Sequence, residues 1–350
     1  MVGQVINQYK KFKPIPATKN ICYHFLTRER KKSFGSANPD KTFYVIRGVD
    51  DSSPLYIGVT LNLLANYFYV LSHLKYAQDN GWIPIVDQLN YPVYNSTCGK
   101  MNGTKNAWEY FWEQPAEYIL EDVYKSRNVI LSKRSWFSNQ EDMGYEAESH
   151  TDREKISHYH KLGESITLKK HVADYINATR GRLFDPEDRV LGVSYRFDGH
   201  AKDSPLHGPG HPISPAVETL IELVFKRFKQ WDMTRVFLAS DEESSVEKFK
   251  AVFGERLATV PRKRTNPSVV YDESNVNPIY SAENIYNTTR DYLAEIEILA
   301  GCVGLIGSVT SGLKYAVVRN NNAYEHVEIV DCGRFVDLNK RDLKQKVDIK

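Results

Sequence analysis

Over 350 residues, hydrophobic side chains make up 41% and charged ones 26%, with a formal net charge of +2. That length suits two globular domains with a sizeable core, and the near-neutral balance excludes a global field that would draw the chain to nucleic acid, so any basic site must be local. No run approaches a membrane-spanning length, the first twenty residues lack the apolar stretch of a signal peptide, and four scattered cysteines (Cys22, Cys98, Cys302, Cys332) with no CxxC pair read as reduced thiols of an intracellular protein rather than a disulfide frame or zinc site.

The first forty residues are basic and irregular. The first clear strand is Thr42–Arg47. A loop with Gly48, Asp50, Asp51 and Pro54 leads to a long apolar-periodic segment, Leu61–Asn80, in which Leu64, Phe68, Leu71 and Lys75 recur at helical spacing and Gly81 supplies the stop. Trp82–Val86 is a second strand, completing a β-α-β unit and implying a parallel sheet. Residues 104–132 read as two short helical pieces broken at Pro115, then a strand at Asn128–Leu131; Asp152–Ile176 reads as a charged helix. Gly181 and Pro186 mark a connector over 180–189, where we expect the domain junction: a domain over 1–180, a second over 181–335, and a charged tail over 336–350.

A regular alternation follows. Strand Val190–Tyr195 precedes helix Pro215–Lys229; strand Arg235–Ala239 precedes helix Ser244–Val252; strand Leu257–Val260 precedes an irregular stretch, 261–285. Helix Thr288–Ala300, strand Val303–Ile306, helix Thr310–Val318 and strand His326–Val330 complete it. Such alternation argues a doubly wound α/β domain.

Three of these strands end in polar residues, and parallel strands bring their ends to one crevice, where ligands of open α/β sheets bind. The first ends in Arg196, followed by a loop, 197–211, crowded with Asp198, His200, Lys202, Asp203, His207 and His211. A guanidinium at the end of a buried strand can grip a phosphate with two parallel hydrogen bonds, or pair with a nearby carboxylate. The second ends in Asp241-Glu242; carboxylates there can accept from a purine edge or a ribose, or cap the following helix. The third runs through Ser308, Thr310 and Ser311 into a helix; hydroxyls at a helix N-terminus make an anion site, or serve as plain caps. A Walker loop is absent, which argues against an ATPase. Arginine, hydroxyl nest and acid around one crevice describe a nucleoside diphosphate site.

Taken in order, "GVSYRFDG", "HPISP", "VFLASDEES" and "LIGSVTSG" resemble the donor half of the fucosyltransferase superfamily, which includes α-1,6-fucosyltransferases, rhizobial nodulation fucosyltransferases and protein O-fucosyltransferases. "HLKYAQDNGWIPIVDQLNY" and "NAWEYFWEQP" resemble bacterial capsule or O-antigen synthesis proteins of this group, and the likeness covers roughly 42–335. The resemblance implies an α/β, GT-B-like fold of two Rossmann-like domains facing a cleft, the first on the acceptor side and the second binding the donor. It implies a GDP-sugar as co-substrate, inversion at the anomeric carbon, and neither metal nor cofactor. It matches Arg196 to the arginine on the donor pyrophosphate, Asp241 and Glu242 to the acids at guanine and ribose, Ser308, Thr310 and Ser311 to the phosphate-side hydroxyls, and His211 to the histidine of a His-Pro pair. The family's second arginine is Phe197 here, its acid falls one residue early at Asp198, Asn62 stands near the place of its glycine-rich turn, and its catalytic base has no clear counterpart, leaving Asp198, Lys202 and Asp203 as candidates.

The expected function is therefore transfer of a sugar, fucose above all, from a GDP-sugar to a hydroxyl of a bacterial surface glycan precursor. The expected partners are the nucleotide-sugar donor and a glycan acceptor, not nucleic acid. The expected location is the cytoplasm, with peripheral contact at the inner membrane face compatible with it. A sugar-nucleotide or glycan-binding protein without catalysis, and a capsule phosphotransferase, would share the anion site.

Overall fold

A computed structural model of the chain describes residues 28–48, 63–89, 100–133, 150–196, 212–262, 264 and 285–334. They form a mixed α/β structure on two sheets. The N-terminal sheet has four strands in the order β1-β4-β2-β3: β1 (Arg30–Lys32), β2 (Ala37–Arg47), β3 (Ile83–Asp87) and β4 (Ser126–Leu131). β3, β2 and β4 are parallel, and β1 runs antiparallel along the edge of β4.

Alternation along β2 splits its two faces. Phe43 and Val45 join a small core with Leu120 and Val123 of α2 (Leu120–Val123), while Tyr44 and Ile46 face α1 (Leu63–Asp79) and the main core. α1 is buried on nearly every side, as its Leu- and aromatic-rich sequence requires. His73 lies in that helix as a core residue: its Nδ1 is 2.8 Å from the Tyr44 hydroxyl, and burial, with the nearby Arg47 charge adding to it, lowers its pKa to about 3.

The C-terminal sheet has five strands, all parallel, in the order β7-β6-β5-β8-β9: β5 (Val190–Tyr195), β6 (Arg235–Ser240), β7 (Leu257–Ala258), β8 (Gly304–Ser308) and β9 (His326–Val330). Numbered from β5, this is the 3-2-1-4-5 order of a Rossmann-type sheet, which reverses between β5 and β8. β5 is central and every one of its residues is buried, as the run VLGVSY predicts. α5 (Val217–Gln230) turns Leu220, Ile221, Val224 and Phe228 to the sheet and leaves Glu218, Glu222 and Lys226 in water. Each such side chain contributes roughly 1.5–3 kcal/mol on burial. α6 (Glu243–Phe253) covers β6; α7 (Ile285–Ala300) and α8 (Ser311–Asn320) lie on the other face.

The segment expected as one helix over Asp152–Ile176 is two, α3 (Arg153–Gly163) and α4 (Lys170–Leu183). Asp152 caps α3 by accepting from the backbone N–H groups of Glu154 and Lys155. The chain between the helices is drawn into extended pairing: the Glu113 N–H donates to Thr167 O at 2.8 Å and the Lys169 N–H to Phe111 O at 2.9 Å. Positions 180 and 181, the expected domain junction, fall in the last turns of α4. β1 was not foreseen, because Arg-Lys-Lys carries no strand signal; its charges suit an edge strand that must not pair further. Cys302 and Cys332 are free thiols, while Cys22 and Cys98 lie outside the described residues. No helix among the described residues is long and apolar enough to cross a membrane.

The two sheets share one continuous hydrophobic cluster. α8 packs on α1 and α3, and α7 packs on α4. At this junction Tyr67 and Tyr315 meet edge to face with ring centroids 4.7 Å apart, and Tyr315 donates to Glu297.

β5 and α8 approach at Gly307. A Cβ there would stand 2.9 Å from both Ser194 O and Leu313 Cδ1. Gly307→Ala is therefore expected to destabilise the protein by about 1–3 kcal/mol, the usual cost of overpacking, read as a lower urea midpoint; an unchanged midpoint would contradict the packing described.

Candidate active site

The C-terminal ends of β6, β5 and β8 lie side by side. Tyr195 pairs with Ser240 and Ser194 with Gly307, so the chain leaves the sheet at Arg196, Asp241 and Ser308 on one edge. Arg196 and Asp241 meet there: Arg196 Nε is 3.9 Å from Asp241 Oδ2, and both side chains are about two-fifths exposed, at 44% and 40%. An exposed pair of this kind contributes only about 0–1 kcal/mol. An incoming phosphate that accepts two charge-assisted bonds, each worth about 1.5–3 kcal/mol, competes with it readily.

The two acids behave differently. Asp241 faces the crevice beside Arg196. Glu242 is buried, 4% exposed, and turns into α6, where its carboxylate accepts from the Ser244 hydroxyl at 2.7 Å and from the Ser245 hydroxyl. Glu242 stands at the N-cap position through its backbone alone, its side chain making no capping bond to the helix backbone.

The third strand end is the entry to α8. Thr310 caps the helix, its Oγ1 accepting from the Leu313 N–H at 3.1 Å. Ser311 is buried at the first helical position. Ser308 Oγ, at the last residue of β8, is buried and has no hydrogen-bond partner among the described residues. A buried hydroxyl normally finds a partner, and leaving one unsatisfied costs about 1–3 kcal/mol. Nearly three turns of peptide dipoles place the positive end of α8 here. His150 reaches the same spot from the N-terminal half, with Nε2 3.4 Å from Thr310 O. Lys314, in the first turn of α8, is buried, its ammonium 5.0 Å from the Phe68 ring and 5.3 Å from the Tyr159 ring.

Behind Asp241 lies a buried ionic cluster that sequence reasoning missed. Arg262 and Arg264 follow Val260 and converge on Glu295 of α7, with Arg262 Nη2 2.9 Å from Glu295 Oε2 and Arg264 Nη2 3.0 Å from Oε1. Both arginines also donate to the Ser240 carbonyl, at 2.9 and 3.1 Å. They thereby fix the last residue of β6. Burial pushes the Glu295 carboxyl above its ordinary range, against the pull of the two guanidiniums. Tyr292, one turn earlier on α7, has its phenol pushed up to about 12 by burial and also feels the opposing charges of Arg196 and Asp241. Gly312 makes room for it: a Cβ there would lie 3.0 Å from the Tyr292 hydroxyl. A signal for the cluster did exist. Glu295 falls on the apolar face of α7 with Tyr292, Ile296 and Leu299, where an acid needs a buried partner, and "VPRKRT" supplies one.

Of the residues expected at the site, Arg196, Asp241, Ser308, Thr310 and Ser311 stand on one edge, and Glu242 stands beside them but points into α6. Asp198, Lys202, Asp203 and His211 lie outside the described residues, as do Asn62 and Phe197.

No protein-family model and no curated protein matches the chain. Among solved structures it is similar to NodZ α-1,6-fucosyltransferase soaked with GDP-fucose, at 16% identity and a TM-score of 0.46 over 79% of this chain and 92% of that one. It is also similar to fucosyltransferase NodZ from Bradyrhizobium, at 16% identity and a TM-score of 0.43 over 79% and 92%. A third is POFUT1 in complex with GDP-fucose, at 8% identity and a TM-score of 0.45 over 84% and 99%.

The cluster behind Asp241 is open to test. Glu295→Gln leaves two buried guanidiniums without their carboxylate and is expected to cost about 3–5 kcal/mol, measured by urea unfolding. A loss below about 1 kcal/mol would show that Arg262 and Arg264 find other compensation.

Proposed function

We propose that the chain is a glycosyltransferase that binds a nucleoside diphosphate sugar in the crevice between β5 and β8 and transfers the sugar to a hydroxyl of an acceptor glycan. One observation carries this reading: at the reversal of strand order, Arg196 stands on one side and the positive end of α8, with a Ser308 hydroxyl that has no partner among the described residues, on the other. A diphosphate fits between a guanidinium and a helix N-terminus. Asp241, next to Arg196, is the acid placed to meet the rest of the nucleotide.

Guanine suits that acid best. Its N1–H and 2-amino group are adjacent donors that one carboxylate can accept together, whereas adenine lacks the pair. The sequence resemblance adds fucose as the sugar, inversion as the stereochemistry, and two Rossmann-like domains, over 1–180 and 181–335, facing a cleft. In the transfer, a base deprotonates the acceptor hydroxyl as it attacks the anomeric carbon. Asp198 and Asp203 are the candidates. Negative charge grows on the departing diphosphate, and Arg196, the first turn of α8 and Ser308, Thr310 and Ser311 stabilise it there. These groups supply the positive charge that a divalent ion would otherwise bring, and the proposal includes transfer without metal. A bacterial surface glycan precursor as acceptor, and work in the cytoplasm or at the inner membrane face, belong to the same proposal.

Arg196→Lys keeps the charge and loses the two-pronged grip. Turnover of a GDP-sugar should fall by about 2–4 kcal/mol of barrier, the scale of one lost charge-stabilising donor, or roughly 30- to 1,000-fold. The assay is run in EDTA, where wild-type transfer should persist. A well-folded variant with normal turnover would remove Arg196 from the reaction, and GDP-sugar binding with neither transfer nor hydrolysis over a broad acceptor set would favour a binding protein.

Asp241→Asn should weaken GDP while barely changing an already weak ADP, because the carboxylate loses its pairing with the guanine donors, worth about 1–3 kcal/mol. Glu242→Gln should change stability more than the GDP-to-ADP preference, since Glu242 is engaged within α6. Competition binding separates the two; a preference untouched by Asp241→Asn would place base recognition elsewhere.

A further inference from the structure

α7 runs along the C-terminal sheet in contact with β5, β6 and α8, below the gap where the strand order reverses. Tyr292 is the polar side chain that this helix sends toward the gap. A Cβ on Gly312, the second residue of α8, would stand 3.0 Å from Tyr292 Oη, so the hydroxyl lies against the first turn of α8. A larger residue at 312 would displace it. The ring is held from the next turn of α7: Glu295 is pinned there by Arg262 and Arg264, at 2.9 and 3.0 Å, and Ile296 Cδ1 would stand 3.1 Å from the same Cβ. On the strand side, the hydroxyl is within reach of the charges of both Arg196 and Asp241.

The other tyrosines packed on α7 and α8 have settled partners. Tyr175 donates to Asp291 at 2.7 Å, Tyr315 to Glu297 at 2.5 Å and Tyr324 to Leu299 O at 2.9 Å. The Tyr292 hydroxyl makes no hydrogen bond to a described residue. Its side chain is only partly buried, and its oxygen is not sealed from solvent as the Ser308 hydroxyl is. Burial of the ring pushes its pKa up to about 12, so the phenol keeps its proton at neutral pH and stands as a donor.

We infer that Tyr292 is a further residue of the donor site, its hydroxyl donating a hydrogen bond to a phosphate oxygen of the nucleoside diphosphate from the α7 side of the gap. This rests on the reading of the crevice as a diphosphate site. A hydrogen bond to an ionised oxygen is stronger than one between neutral groups, and a phenol already held by its neighbours costs little to order on binding. The contact is to the phosphates and not to the base, so it acts alike on GDP and ADP.

The test measures the affinities of the full chain for GDP and ADP by isothermal titration, with urea unfolding alongside. Tyr292→Phe keeps the ring and removes only the hydroxyl. It should weaken GDP by about tenfold, the scale of one lost bond to a charged group, while the GDP-to-ADP preference and the urea midpoint stay as they were. In wild-type crystals soaked with GDP, Tyr292 Oη should lie within hydrogen-bonding distance of a phosphate oxygen, which keeps the test decisive if the variant unfolds early. The inference alone falls if GDP binds and Arg196→Lys weakens it but Tyr292→Phe does not, or if Tyr292→Phe shifts the GDP-to-ADP preference and the soaked crystal puts the phenol on the base. If GDP does not bind the wild type, the diphosphate reading of the crevice falls and the inference falls with it.

Discussion

The reversal of strand order between β5 and β8 is the constraint on which the rest depends. After β7 the chain does not add a strand beyond it. It crosses back by α7 to lay β8 on the other side of β5. The connections after β5 and β8 then leave in opposite senses, and a gap opens at the sheet edge between them. Arg196 and the start of α8 face that gap because they are the first residues past the two strands. No side chain need be strained to bring a cation and a helix N-terminus together.

Holding that edge in place has an energetic cost, and the buried cluster shows where. A carboxylate buried with two guanidiniums is seldom the most stabilising choice, since apolar packing of the same volume often does as well or better. Here Arg262 and Arg264 reach past Glu295 to the carbonyl of Ser240, a group at the end of β6. The cluster satisfies that carbonyl and sets the exit of the chain toward Asp241. On the other flank, α8 is anchored by a core that includes α1 and α3, so the helix whose N-terminus forms the anion site is fixed from both halves of the chain. Tyr67 depends on the same packing: a Cβ at Gly163 would come within 2.6 Å of its hydroxyl.

Much of the C-terminal sheet was legible in the sequence. VLGVSY and VFLAS are short apolar runs followed by polar residues, and the structure ends these strands at Tyr195 and Ser240. The split of 152–176 into two helices was not legible, because it comes from pairing with Trp112 and its neighbours some fifty residues earlier. β1 was invisible for a related reason: only the edge of β4 makes Arg-Lys-Lys a strand. At the candidate site, Arg196 and the hydroxyls before α8 could be placed from strand ends alone. The different orientations of Asp241 and Glu242 could not, since they depend on the Ser244 and Ser245 hydroxyls donating to Glu242 and drawing it into α6. The cluster around Glu295 spans 240–295, and local patterning could not connect its parts.

The central claim is that a diphosphate sits where the strand order reverses. A crystal structure of the protein soaked with GDP tests it most directly. The account predicts the diphosphate within hydrogen-bonding distance of Arg196 on one side and of the Ser311 backbone N–H and Ser308 hydroxyl on the other, with the Arg196–Asp241 contact opened to admit it. GDP bound at another place, with Arg196 still against Asp241 and Ser308 still unpartnered, would contradict it.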